Sequence, residues 1–370
     1  MPLPVEIRVV VPCYNEPEVL QTLRSLYACL RPACGVEIIV VVNSYCISPK
    51  TVKQFNRQTH EELQEFARKH FSSDLYLTPL LVEDLPGHQT GAGVPRKIGM
   101  DTAAAQFESE NRPQGIIVSL DADCTVEKNY LTEIYRCFRQ YRLKSATIEF
   151  HHPVEHLPET DEIRKATETY ETYLRYYRAA LEYTGYPYAY YTIGSTFTVT
   201  AQTYRQAGGM GKQQAGEDFY FLQKVFPLGR TYFIHTTCVY PAARVSDRVP
   251  FGTGPAIAKM VSERQFRKLS YQVEAFTELK NLFDRVEGLF KQPSSATEQL
   301  LQNLPPHTRN FLEEERFVEK IEEINRYTGT AANFKKRFFG YFNAFKILKY
   351  LNFVHPEPYG LVDVREQAKL

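Results

Sequence analysis

Two aspartates one residue apart, Asp121 and Asp123, stand directly after the apolar run Ile116-Ile117-Val118-Ser119-Leu120. That run reads as a strand buried on both faces, stopping abruptly at the carboxylates. Side chains two apart on a strand point the same way, so the pair would aim four oxygens at one point. Like charges at that spacing repel unless a cation lies between them. Hard oxygen donors suit Mg2+ or Mn2+ better than zinc, and such an ion would in turn hold a diphosphate. The same residues also suit a plain solvated turn after a strand, and on the tripeptide alone both readings stand.

For these carboxylates to meet a ligand, their strand must end in the crevice where open α/β sheets bind ligands. The preceding chain has the rhythm of such a sheet. Ile7 to Val11 is a short apolar run; 19–30 reads as a helix with Leu20, Leu23, Leu26, Tyr27 and Leu30 on one side; 36–42 is a second buried strand. A charged helix over 50–71, a strand over 75–82 and a helix over 96–107 complete the run up to Asp121. Strands joined through helices imply right-handed crossovers and a parallel sheet, so 1–124 reads as one doubly wound, Rossmann-like nucleotide-binding half.

Beyond it the spacing predicts a helix over 130–141, a strand over 145–150, a long charged helix over 161–183, and a tyrosine-rich turn over 183–191. Tyrosines there suit either stacking on a sugar acceptor or half-buried turn positions. A strand over 192–200, a short helix over 201–207 closed by Gly208-Gly209, a helix over 217–225 and a strand over 231–239 follow. The stretch 291–306, rich in Pro, Ser, Gln and Asn, reads as a linker before two charged helices.

Composition narrows the classes. With 43% hydrophobic and 24% charged residues the chain has the balance of a soluble globular protein. Lys plus Arg (44) nearly equals Asp plus Glu (43), which gives no general reason to expect nucleic-acid binding. Seven scattered cysteines without a CxxC pair fit a reducing, cytoplasmic setting. The first residues run into a strand with no signal-peptide pattern, and no window approaches 18 apolar residues. His151, His152 and His156 lack the spacing of a two-histidine zinc helix, and Pro153 intervenes.

Three segments in order, Val9-Val-Val-Pro-Cys-Tyr-Asn-Glu16, Asp121-Ala-Asp123 and Gly216-Glu-Asp-Phe219, resemble those of family 2 glycosyltransferases over roughly residues 5–255. The resemblance implies a GT-A fold: a doubly wound mixed α/β sheet flanked by helices, here with a helical C-terminal extension. The implied division is a catalytic domain over 1–255, split into a nucleotide-sugar half (1–124) and an acceptor half (125–255), and an extension over 256–370. The implied activity moves a hexosyl group from a nucleoside-diphosphate sugar to a hydroxyl acceptor with a divalent cation, Mn2+ or Mg2+. Inversion is favoured, although retaining members share much of the site.

Residue by residue, the resemblance implies that Pro12, Tyr14, Asn15 and Glu16 line the base and ribose, and that Asp121 and Asp123 hold the ion. Asn43 stands where the family usually has an aspartate pair after the second strand; an amide offers a donor as well as an acceptor, which leaves the nucleotide open. Arg96 and Lys97 fall where the family places a basic residue near the diphosphate, and a cation at a helix start works against the helix dipole. Asp218, then Glu217, matches the general base, with helix capping as the plain alternative. A third metal ligand would come from His235 or Asp247, and 248–254 suits either a lid or an ordinary loop.

The tract 335–353 interleaves Lys and Arg with Phe, Tyr, Ile and Leu. It fits an interfacial helix on the inner face of an anionic membrane, favouring a lipid-linked or saccharide acceptor, or a helix packed on the protein itself. A sugar-phosphate nucleotidylyltransferase would need a glycine-rich, basic loop after the first strand, which Pro12-Cys-Tyr-Asn-Glu16 is not. An inactive nucleotide-sugar-binding scaffold is favoured by Asn43 alone.

Overall fold

β-Branched runs without polar alternation are stable only inside a sheet covered on both faces, and two such runs lie side by side in its parallel half. In the computed structural model, which describes residues 3–87, 91–211, 216–244, 252–355 and 357–367, β1 (Val5–Cys13) and β2 (Gly35–Tyr45) run parallel with Val9 opposite Ile38 and Val11 opposite Val40. All four of those side chains are fully buried. Arg8 interrupts the apolar run and is buried too; its Nε donates to Glu37 on β2 at 2.7 Å and its guanidinium stacks 4.0 Å from the Phe107 ring centre.

β3 (Leu75–Leu85) extends the parallel sheet beyond β2, and β4 (Ile116–Ser119) joins on the other side of β1. With β5 (Cys124–Val126), β6 (Ser145–Phe150), β7 (Phe197–Thr200) and β8 (Thr231–Pro241) the order is β3-β2-β1-β4-β7-β6-β8-β5. β7 is antiparallel to β4 and β6, β5 is antiparallel to β8, and the other pairs are parallel. This is the expected α/β class, a doubly wound mixed sheet flanked by helices. The chain turns from one side of β1 to the other between β3 and β4, which makes the carboxyl ends of β1 and β4 a switch point, where such sheets open a crevice.

The helices of this part are α1 (Val19–Tyr27), α2 (Lys50–Lys69), α3 (Gly93–Ser109), α4 (Tyr130–Tyr141), α5 (Glu162–Tyr183), α6 (Ala201–Gln206), α7 (Glu217–Val225) and α8 (Thr253–Glu263). Gly99 lets α3 press directly on β1, since a Cβ there would lie 2.4 Å from Val10 Cγ1. Only 197–200 of the strand expected over 192–200 pairs, because the chain turns at Gly194 before joining β4.

Two compact units emerge: Met1–Thr167 with Tyr190–Arg264, and Glu168–Ala189 with Gln265–Leu370. The second contains most of α5, then α9 (Val273–Val286), α10 (Ser294–Gln302), α11 (Pro306–Glu314), α12 (Phe317–Arg326), α13 (Ala331–Tyr341), α14 (Ala344–Val354) and α15 (Val364–Gln367). A short ladder pairs β9 (Leu269–Ser270) with β10 (Val362–Asp363). The expected linker over 291–306 is helix α10, anchored by buried Thr297, Leu300 and Leu301 between Pro293 and Pro305. Where two charged helices were expected there are four, broken by left-handed Arg316 and by the caps Thr330 and Asn343.

Phe334, Phe338, Phe339, Phe342, Ile347 and Tyr350 are each at most 2% exposed, so the aromatic face of 335–353 forms this unit's own core. At its centre the Glu278 carboxylate accepts from Thr308, from Tyr350 at 2.6 Å and from His307 at 2.8 Å, and these donors hold it below its ordinary range against the effect of burial. No helix among the described residues is long and apolar enough to cross a membrane. All seven cysteines are free thiols.

Candidate active site

The chain leaves β4 at Ser119 and re-enters the sheet at Cys124, and the residues between form a turn closed by Cys124 N–H donating to Asp121 O at 3.2 Å. Asp121 and Asp123 therefore do not share a strand face, as two-residue periodicity had suggested; each is turned to its own arginine. Thr22 Oγ1 on α1 donates to Ala122 O at 2.8 Å and pins the middle of the turn.

Asp121 meets Arg96. Helix α3 carries this arginine in its first turn, where it is 2% exposed. Its Nη2 donates to Asp121 Oδ1 at 2.6 Å and its Nη1 donates to Glu217 Oε1. Burial alone would disfavour the charge, but Asp121, Glu217 and Asp218 hold the guanidinium firmly protonated. Gly194 makes room for it, since a Cβ there would sit 2.7 Å from Nη2. Ser119 Oγ fixes that glycine by donating to its carbonyl at 2.6 Å.

Glu217 and Asp218 open α7 after Gly216, whose φ of 70° suits a residue without a Cβ. Glu217 is 6% exposed and spent on Arg96. Asp218 accepts from the Phe219 N–H at 2.7 Å. Burial, and then the neighbouring Glu217 charge, push its carboxyl up to about 6, against the pull of Arg96. An acid poised there can take a proton near neutral pH, which an ordinary aspartate does poorly.

Asp123 meets Arg244. The backbone joins them first: Ala242 N–H donates to Asp123 O at 3.1 Å where β8 passes β5. Arg244 Nη2 then donates to Asp123 Oδ2 at 2.9 Å and also to Glu16 Oε2. Glu16, 2% exposed, follows β1 and also accepts from Glu18 N–H at 3.0 Å. Sequence reasoning passed over Arg244; its one signal is a cation just past the strand that pairs with the segment after Asp123.

The other donor-side residues cluster where β1 and β2 end. Pro12 is buried near the carboxyl end of β1 opposite Val41, and Asn15 takes a left-handed φ of 48° and donates its N–H to Asn56 at 3.0 Å. The Tyr14 ring lies 5.5 Å from that of Tyr45, with its hydroxyl 3.2 Å from Ser48 Oγ. Asn43 is fully buried on β2, and neither its Oδ1 nor its Nδ2 has a hydrogen-bond partner among the described residues. A buried amide left so is costly and points to a group that completes it.

Two expected members do not join. Lys97 Nζ donates to Asp101 at 2.6 Å within α3, one residue along the helix from Arg96. His235 lies exposed in the bulge of β8, seven residues before the Ala242 N–H that meets Asp123 O. Asp247 and the first part of the proposed lid, 248–251, lie outside the described residues.

No protein-family model matches the chain, and no curated protein matches it. Among solved structures, it is similar to S. aureus TarS 1-349 in complex with UDP-GlcNAc, at 14% identity over 90% of each chain and a TM-score of 0.46. The same protein in complex with UDP gives 13% identity over 90% of this chain and 89% of that one, with a TM-score of 0.44. A longer TarS chain gives 13% identity over 78% of this chain and 44% of its own, with a TM-score of 0.43. At such values the site has to be interpreted on its own geometry.

Proposed function

We propose that the chain is a glycosyltransferase of GT-A type that moves a hexosyl group from a nucleoside-diphosphate sugar to a hydroxyl acceptor, with inversion, aided by Mg2+ or Mn2+. The observation that carries this is the set of two arginines and five carboxylates at one switch point, in which burial and the Glu217 charge raise the Asp218 carboxyl to about 6. An anionic leaving group and a proton to be removed are what such a set serves.

The donor set suits the ion. Asp121 and Asp123 offer hard oxygens, and their side chains keep 36% and 25% of their exposure. The described residues hold no cluster of three or more possible ligands. Mg2+ commonly takes one or two carboxylates and completes its shell with waters and substrate phosphates, so two aspartates suffice. When bound, the ion would neutralise charge building on the diphosphate. Glu16 would accept from ribose hydroxyls, Asn43 would pair with the base edge, and Tyr14 would flank the ring. Arg96 would hold Asp121 and Glu217 in place. Asp218 would accept the acceptor hydroxyl's proton as that oxygen attacks the anomeric carbon opposite the leaving diphosphate.

A thermal-shift panel of UDP-, GDP-, ADP- and dTDP-sugars with Mg2+, Mn2+ or EDTA tests this. A ligand at about 100 times its dissociation constant adds roughly 2.7 kcal/mol to native stability, which is readily seen. A metal-dependent shift with one nucleotide class is expected; none with any of them removes the proposal.

A further inference from the structure

In the second unit α12, α13 and the start of α14 enclose a groove of about 650 Å³, lined among others by Lys320, Arg337, Tyr341, Phe345, Lys346 and Lys349. Four cations converge here. Lys320 pairs with Glu323 at 2.7 Å, and Lys346 and Lys349 share Glu315. Glu323 and Glu315 pair with three of the four cations, Glu314 adds its charge near Lys349, and Arg337 has no carboxylate partner among the described residues. The first turn of α14 contains no acidic residue, so its N-terminus adds to the positive field, while α13 ends in the same groove at Gly340 and Tyr341 and its C-terminus opposes it.

The aromatic wall is built rather than incidental. Tyr341 donates its hydroxyl to Glu315 O at 3.2 Å, and its ring lies 4.8 Å from Lys346 Nζ and 5.7 Å from Lys320 Nζ. Phe345 of α14 lines the same groove, half-buried, while the phenylalanines of α13 turn into the core. Gathering like charges around an open groove weakens the folded state unless an anion shares the field. The groove is concave and the apolar faces of α13 and α14 are inside, so its lining would take a single headgroup or a free molecule rather than the face of a bilayer. Its volume suits a discrete small molecule.

We propose that this groove binds a phosphorylated sugar-sized ligand, with Arg337, Lys320 and Lys346 on the phosphate and Tyr341 and Phe345 against the ring. A guanidinium fork matches phosphate oxygens in pairs, and an aromatic face covers the apolar side of a sugar at small entropic cost. The phosphate belongs either to a free molecule or to a lipid headgroup. The site stands independently of the donor site in the first unit.

The test is calorimetry on the full chain with glucose 6-phosphate, glucose and inorganic phosphate, beside co-sedimentation with phosphatidylglycerol and phosphatidylcholine vesicles. Each is repeated on Arg337→Glu and on Lys320→Gln, with melting curves to show that both fold. Glucose 6-phosphate is expected to bind, glucose not, and Arg337→Glu to weaken binding at least tenfold, with a smaller loss in Lys320→Gln. Binding confined to phosphatidylglycerol vesicles and lost in Arg337→Glu assigns the phosphate to a headgroup. Inorganic phosphate binding as tightly as glucose 6-phosphate means an adventitious ion only and overturns the proposal. So does silence in every arm, or binding that Arg337→Glu leaves unchanged.

Discussion

Arg244 Nη2 stands 2.9 Å from Asp123 Oδ2, and the same nitrogen serves Glu16. A guanidinium therefore sits beside the carboxylate proposed to hold the divalent ion, and burial is outweighed by the two acids that keep it charged. Ion and guanidinium should compete for Asp123. Arg244→Ala is expected to bind Mn2+ at least tenfold more tightly than the native chain without nucleotide, by calorimetry or by the loss of free-Mn2+ paramagnetic signal. It should also lose about 1–3 kcal/mol of stability in EDTA, because buried Glu16 loses the Arg244 charge. Equal Mn2+ affinities would show that Arg244 and the ion do not compete for Asp123.

Arg96 is the hinge of the other cluster, and its place depends on a missing Cβ. Gly194→Ala puts a methyl 2.7 Å from Nη2, and the doubly paired guanidinium has no slack to yield. A cost of about 1–3 kcal/mol is expected by denaturant titration, as for overpacking elsewhere. Turnover should fall further than donor affinity, because Asp121 and Glu217 lose their common anchor. Arg96→Lys, which keeps the charge but lacks the fork, should reproduce the turnover defect without the steric cost. If Gly194→Ala leaves both stability and rate untouched, the close approach is not what positions Arg96.

Asp218 allows a prediction with opposite signs in two measurements. Its pKa is raised to about 6 from an ordinary 3.8, so the folded state holds a proton that the unfolded state has released between those values. Its contribution to stability is thus greatest below the unfolded pKa and is lost as pH rises through about 6. Asp218→Asn should be more stable than the native chain at pH 8, on the order of 1–2 kcal/mol, with little difference at pH 4. The native kcat/KM should rise with pH through about 6, whereas the variant should lose activity by a factor of roughly 10² to 10⁴. A variant that is less stable at pH 8, or still active, assigns Asp218 to capping.

Much of the sheet was legible because β1, β2 and β4 contain continuous apolar, mostly β-branched runs, and helix α4 and strand β6 end where periodicity ends. Long-range placement was not. Nothing local tells that the residues after Ser119 turn instead of continuing, since the turn is closed by its own backbone and pinned from α1 by Thr22. Arg244 and Gly194 become meaningful only once β8 passes β5 and the chain before β7 crosses Arg96. In the second unit, short helices separated by caps and prolines carry too few periods to be told from linkers, so α10 was read as one.

Asn43 separates binding from stability in the donor half. Its amide is fully buried with no hydrogen-bond partner among the described residues, so the folded state carries a desolvated polar group. Replacing it by leucine, of nearly the same shape, removes that cost, and Asn43→Leu should raise the melting temperature of the ligand-free chain by the equivalent of about 1 kcal/mol. If the amide is kept to pair with a base edge, the same variant should weaken nucleoside-diphosphate binding by roughly ten- to a hundredfold, since the base then loses its partner in a dry site. Asn43→Asp keeps an acceptor but removes the donor, and a switch in which base stabilises the chain would identify the edge that Asn43 meets. A chain that Asn43→Leu stabilises with nucleotide affinity intact would place the amide outside the base site.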